Sequence, residues 1–332
     1  MATLNPASPS VVEKAKPAST QQDWHRWQQI WGWIFLSPWI IGFLVFTLVP
    51  IIVSLVLSFT DFKLTEPSAV KFIGLDNWLR LISGITNREI PGIAADYDIG
   101  NAFWVTIRFA FLSVSITLAT AVGLAALLSS KNLVGKRFFR VLYYMPYMVP
   151  AVSGIFIWMA FLNGQSGYLN RLLSLVGISG PNWLQEVAWV IPAFILISLW
   201  GIGNAMLTMM AAMQSVPAEL YEAAEVDGAN GVVKFLRITL PMISPVLFYN
   251  LILSIIGTLQ YFVVPYIVTE GTGRPDDAAY FYNMHLYKTA FVFQNMGYGA
   301  TQAWFIFIVA MLLTLVLFAT ARWWVYYGGG EA

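Results

Sequence analysis

Long apolar runs alternate with short polar segments from residue 32 onward, and the runs dictate the elements. A bilayer span needs about 20 mostly apolar residues. Six segments reach that length, at roughly 32–59, 101–129, 141–163, 188–213, 242–269 and 301–325. The pattern therefore predicts an all-α integral membrane protein with six transmembrane helices. Several runs exceed the minimum, so tilt or extension beyond the hydrocarbon is expected. Pro38, Pro50, Pro146, Pro150, Pro192, Pro245 and Pro265 fall inside these runs or at their ends. Spans tolerate proline because neighbouring helices and hydroxyls satisfy the freed carbonyls. Ahead of the first run, residues 1–23 are rich in Pro, Ser, Ala, Lys and Gln and contain no signal-peptide core. They read as a disordered cytoplasmic tail. Trp24, Trp27 and Trp31 recur at i, i+3 and i+7, which predicts a short interfacial helix over 24–31, followed by a six-helix domain over 32–327.

The polar segments orient the bundle. With the N-terminus inside, Lys14, Lys16, Arg26, Lys131, Lys136, Arg137, Arg140, Lys234, Arg237 and Arg322 fall on the cytoplasmic side. The opposite side receives Lys63, Lys71, Arg80, Arg88, Arg171, Arg274 and Lys288. The stretch 130–140 decides the matter, with four basic residues and no acid. Both termini and the polar loop 214–241 are thus expected on the cytoplasmic side of a multi-pass membrane protein.

Composition agrees and excludes other classes. Hydrophobic residues make up 58% of the 332 and charged residues 11%, against about 25% charged in soluble domains. A net charge of +1 argues against nucleic acid as a partner. With no cysteine and only His25 and His285, both read as interfacial or loop residues, no metal site is expected. No G-x-x-x-x-G-K-[ST] phosphate cradle and no catalytic motif occurs, so neither ATP binding by a P-loop nor enzymatic catalysis is expected of this chain. Ionisable residues are scarce in the runs. Arg108, the main exception, can snorkel to the interface, which weighs against a proton relay.

The most telling polar segment is Glu219–Pro241, ELYEAAEVDGANGVVKFLRITLP. Pro217 starts a helix through Glu222, Ala223 and Ala224; Gly228 breaks it; a second segment from Val232 to Ile238 runs into Pro241. Small alanines beside an acid permit close approach of a partner and a charge-assisted contact. The plainer reading is an amphipathic loop helix resting on headgroups. Glu222-Ala223-Ala224, three residues, Gly228, nine residues, then Ile238-x-Leu240-Pro241 resembles the signature loop of binding-protein-dependent ABC importer permeases at every position. Further likeness to carbohydrate importers of the maltose and glycerol-phosphate type lies in residues 37–62, FIGLDNW (72–78), Gly167-x-x-Asn170 and YKTAF…GYGA (287–300). The stretch TEGTGRP (269–275) departs from the shorter T-x-G-G-P of many relatives.

The resemblance implies an importer-permease fold of the maltose type, with the loop as a coupling helix. Glu222, Ala223, Ala224 and Gly228 would dock on a separate ATP-binding-cassette ATPase dimer, and Ile238, Leu240 and Pro241 would shape the return to the membrane. ATP and Mg would be held by that partner, with no cofactor on this chain. A second homologous permease subunit and an extracytoplasmic solute-binding protein are the other implied partners, besides membrane lipid.

A sugar path needs hydroxyl-pairing groups and aromatic rings on an apolar wall. The fourth run carries Ser198, Trp200, Gly201 and Asn204; the fifth carries Asn250, Ser254, Thr258, Gln260, Tyr261 and Pro265. Interhelical packing accounts for Ser198, Gly201, Ser254 and Gly257. Trp200, Asn204, Thr258, Gln260 and Tyr261 are the expected path residues. Tyr280, Tyr282 and Tyr287 suit either contact with a binding protein or an ordinary outer interface. The leading function is a permease subunit of an ATP-driven sugar importer, for a di- or oligosaccharide or related polyol. The competing reading is an ion-coupled secondary transporter for a small polar solute.

Overall fold

The computed structural model describes residues 19–130 and 133–326. Residues 1–18 of the expected tail lie outside the described residues, as do Lys131, Asn132 and residues 327–332. Two compact units divide the chain, residues 1–54 and 55–332. In the first, α1 (Ser19–Phe43) runs unbroken through the tryptophan segment and past Pro38. Five residues of π-helix (Leu44–Leu48) then lead into α2 (Val49–Leu57). The π turn has a cause. Pro50 has no N–H to give to the carbonyl four residues back, and its ring presses on that carbonyl, so the preceding bonds shift to i−5, as in Val49 N to Leu44 O.

The second unit contains α3 (Asp76–Thr86), α4 (Tyr97–Ser129), α5 (Lys136–Tyr144), α6 (Ala151–Phe161) and α7 (Tyr168–Leu175). It continues with α8 (Val187–Trp200), α9 (Gly203–Gln214), α10 (Ala218–Val226), α11 (Gly231–Lys234) and α12 (Leu240–Met242). The last elements are α13 (Ser244–Leu259), α14 (Val263–Val268), α15 (Tyr282–Tyr287) and α16 (Met296–Trp324). Among the described residues the architecture is all-helical, with isolated β-bridges only.

The 33-residue α4 is the central post, about 50 Å long. It packs against α3, α8, α9, α13 and α15. Along one half, Val105 and Phe109 join Phe194, Phe281 and Met284 in one buried cluster. Along the other, Val114, Leu118, Val122 and Ala125 meet Met206, Met209 and Met213.

Among the described residues, four helical stretches are long and apolar enough to cross a membrane: Arg26–Leu57, Tyr97–Ser129, Ser244–Val268 and Met296–Trp324. The expected third and fourth spans are bent pairs. Lys136–Met148 meets Ala151–Phe161 at 106°, and Val187–Trp200 meets Gly203–Gln214 at 54°. Pro146 and Pro150 interrupt the first pair, where Val149 turns extended ahead of Pro150. Gly201 and Ile202 form the turn in the second. Counting each bent pair as one span gives six.

Two asparagines of the sequence motifs hold the connections. Asn77 Nδ2 donates to the carbonyls of Ser58 (3.2 Å) and Thr60 (2.9 Å). Asn170 Nδ2 donates to Gly164 O (2.8 Å) and Pro181 O (3.1 Å), while its Oδ1 accepts from Trp183 Nε1 at 2.6 Å. His285, expected in a loop or interface, is instead buried in α15 with Nε2 3.1 Å from Asp96 Oδ2. Asp96 also caps α4 by accepting from Ile99 N at 3.2 Å. Tyr280 and Tyr282 are buried as well, which removes them from any docking surface.

Candidate functional site

The segment between α9 and α13 is built as the motif required. Val216 is buried as an anchor, and Pro217 precedes the first turn of α10 in extended conformation. The helix stops at a left-handed Gly228 (φ 78°), with Ala229 N bonded to Ala224 O (2.8 Å) and Gly228 N to Glu225 O (3.0 Å). That closure satisfies the last carbonyls of α10 and turns the chain back. Asn230 Oδ1 caps α11 by accepting from Val233 N at 2.9 Å. A second π segment (Phe235–Thr239) leads into Leu240 and Pro241, with Leu240 N bonded to Phe235 O. The spacing to proline repeats that of Leu44–Leu48 and Pro50, and so does the cause.

The two arms are tied to each other and to the bundle. Tyr221 Oη and Thr239 Oγ1 are 2.8 Å apart, and Tyr221, Phe235, Ile238 and Leu240 pack on the α4–α9 cluster. Lys234 Nζ reaches Glu225 Oε1 at 2.6 Å, a pair whose carboxylate is mostly in solvent and so worth little. On α10, Glu219, Glu222, Ala223 and Val226 recur at i, i+3, i+4 and i+7, and all are exposed, Val226 to 90%. Ala224 lies half-buried on the other face; Gly228 is exposed; Ile238, Leu240 and Pro241 are half-buried beneath. The exposed stripe is small-sided, acidic and apolar at its tip. Val226 was not singled out by its residue type; its place in the stripe follows from helical phase once Pro217 fixes where α10 starts.

The expected path residues separate into four places. Thr258 and Tyr261 line a cavity of about 260 Å³ with Ser113, Thr117, Ser198, Gly201, Ser254 and Gly257. Ser198 and Thr258 donate to carbonyls of their own helices, at 2.9 Å to Phe194 O and 2.8 Å to Ser254 O, which leaves their oxygens free to accept. Trp200 lines an adjoining cavity, also about 260 Å³, with Tyr147, Trp158, Ser198 and Tyr261. There Trp158 and Trp200 meet edge to face, centroids 6.0 Å apart. Gly154 makes room for them, since a Cβ there would fall 2.8 Å from the Trp200 ring. The Trp158 indole Nε1 is buried without a partner. Trp158 was missed because nothing in the third run's spacing says that it faces Trp200 across a helix junction. Asn204 is exposed and borders neither cavity. Gln260 turns to the opposite face of α13, into a groove with Ala303, Phe307 and Met311 of α16. Asn250 is buried between helices, bonded to Val246 O (2.9 Å) and near Thr208 Oγ1 (3.3 Å). Among the described residues no group of three or more His, Asp or Glu is placed to hold a metal ion.

Comparison with known proteins follows the same lines. A family model described as binding-protein-dependent transport system inner membrane component matches residues 115–327. The chain is 35% identical over 301 residues to the probable ABC transporter permease protein YesP of Bacillus subtilis (strain 168), covering 90% of this chain and 93% of that protein. It is 31% identical to the lactose transport system permease protein LacF of Rhizobium radiobacter, over 90% and 96% of the two chains. It is 32% identical to the trehalose/maltose transport system permease protein MalF of Thermococcus litoralis, over 88% and 93%. A chain in the crystal structure of a bacterial alginate ABC transporter superposes with a TM-score of 0.72 at 21% identity, covering 90% of this chain and 96% of that one. That likeness shows the fold.

Proposed function

Because the chain belongs to the family of binding-protein-dependent transport system inner membrane components, we propose that it is the permease subunit of an ATP-driven importer whose solute is a di- or oligosaccharide or a related polyol. Its six spans, with both termini in the cytoplasm, form one half of the translocation path, and a second homologous permease forms the other. A solute-binding protein delivers from outside. A pair of ATPase subunits, which hold ATP and Mg, drives the alternation from inside.

The observation that carries this reading is the exposed stripe on α10, Glu219, Glu222, Ala223 and Val226, held out on an arm closed by left-handed Gly228. Glu222 and Ala223 make the contact with the ATPase; Ala224 lets α10 sit close to its own bundle. Gly228 sets the angle, Ile238 and Leu240 pass the movement to α13 through the cluster they share with α4 and α9, and Pro241 shapes the return to the membrane. A sugar suits the neutral walls around Thr258 and Tyr261 and around Trp158 and Trp200, where hydroxyls and ring faces stand on an apolar background. The lactose and trehalose/maltose systems named among its relatives support that class.

The test is to purify the native assembly and measure solute uptake and ATP hydrolysis in vesicles. Glu222→Lys is expected to leave the chain in the membrane and to abolish most ATP-driven uptake. Co-purification of an ATPase with the wild type, lost in this variant, supports the reading. Uptake driven by an ion gradient alone, and indifferent to the substitution, overturns it.

A further inference from the structure

The α5 helix has three faces, and one of them seats it on the bundle. Phe139 and Tyr143 pack it onto the cluster that also seats Tyr221 and Phe235 of the loop, which places α5 at the loop's end of the molecule. Phe138, Val141, Leu142 and Met145 recur at i, i+3, i+4 and i+7, and all are exposed, by 47–66%. Lys136, Arg137 and Arg140 fill the arc between those two faces. No acid occurs from Ser129 to Pro150. When α6 stands along the bilayer normal, the 106° bend lays α5 close to the membrane plane.

Two polar atoms nearby are left over. Arg140 Nε and Ser129 Oγ are shielded from water and find no partner. Ser129 ends α4, against which α5 packs.

From this arrangement we infer that α5 binds the headgroups of anionic phospholipids, the phosphate seated on Lys136, Arg137 and Arg140 and the acyl chains against Phe138, Val141, Leu142 and Met145. A ligand is needed that is both anionic and apolar, because the two arcs are contiguous on one helix. Guanidinium donors suit phosphate oxygens in geometry and charge, and Arg140 Nε is a donor without an acceptor. A basic amphipathic helix in the interface plane has the physical form of a membrane-surface site. A lipid with net negative charge outcompetes a zwitterion there, since no acid offsets the cations. The inference does not depend on which solute is carried or on how the ATPase docks.

The complete assembly, reconstituted in nanodiscs of phosphatidylcholine with a graded fraction of phosphatidylglycerol, tests it. Native mass spectrometry would count each lipid retained, and ATP-driven uptake would be followed in vesicles of the same compositions. Each surface cation strengthens anionic-lipid binding by about fivefold. Retention of phosphatidylglycerol over phosphatidylcholine is therefore expected to fall on the order of a hundredfold in K136Q/R137Q/R140Q. A control with Arg88→Gln and Arg171→Gln should keep it. If the triple variant does not assemble, Arg140→Gln alone serves, with a loss of about fivefold. Retention unchanged in the variant overturns the site. Loss of the ATPase subunits with lipid retention intact also overturns it, because the cations would then hold a protein. Displacement of the lipid by inorganic phosphate at millimolar concentration would assign the site to the free anion instead and likewise overturn the proposal.

Discussion

Gly100 and Gly123 stand on the same helix under opposite demands. A Cβ at Gly100 would lie 2.2 Å from the Gly84 carbonyl of α3, whereas one at Gly123 meets nothing within 4 Å. Gly100→Ala is therefore expected to push α3 off α4 at a cost of about 1–3 kcal/mol. Gly123→Ala should be neutral or stabilise by up to about 1 kcal/mol. Thermal unfolding of the detergent-solubilised protein separates the two; equal midpoints would refute the close approach. The local chain does not distinguish these glycines, since the difference comes from another helix. Gly228 is the contrary case. Its place after a helix-forming, charged stretch already called for a break in the helix, and the structure makes that break with a left-handed residue at φ 78°. Trp200, Thr258 and Tyr261 border cavities, while Gln260 and Asn204 do not join them, because side-chain direction at a helix end depends on where the next turn goes.

At the scale of elements, the loop holds its shape through a contact between its arms. Tyr221→Phe removes the hydrogen bond to Thr239 but keeps the ring in the cluster, so α10 should loosen by about 1 kcal/mol. Amide exchange across residues 218–226 is expected to quicken about fivefold, with exchange in α4 unaltered. No change in α10 would mean that packing alone holds the arm. The bent spans show where reading by apolar length stops. A run of hydrophobic residues reports how much chain is buried in apolar surroundings, not its direction. The expected run 141–163 therefore concealed a 106° elbow between α5 and α6. The prolines that cause the elbow were visible, but spans elsewhere carry proline without breaking, as Pro38 and Pro192 do.

For the molecule as a whole, Asp96 and His285 join the start of α4 to α15 across 189 positions of sequence. Burial acts to raise the pKa of Asp96, but the His285 ring, by hydrogen bond and charge, and the Ile99 N–H overcome it and hold the carboxyl below its ordinary value. A carboxyl depressed in the fold stabilises it above the unfolded pKa of about 4 and loses that contribution as pH falls below it. Asp96→Asn takes the carboxylate away from the buried His285 ring and should cost about 1–3 kcal/mol near neutral pH, and it should flatten the decline in melting temperature below about pH 4. An unchanged acid limb would show that the pair does not matter to the fold. The order of apolar runs was enough to specify a helical membrane protein, and the residues from Pro217 to Pro241 to specify a short helix, a glycine break and a second arm, because bilayer thickness and helix-stop chemistry are local constraints that each segment meets alone. Which hydroxyls share a cavity, which glycine carries a helix crossing and which acid finds His285 are settled by contacts between distant segments. Those contacts exist only once the helices have packed, and no local pattern encodes them.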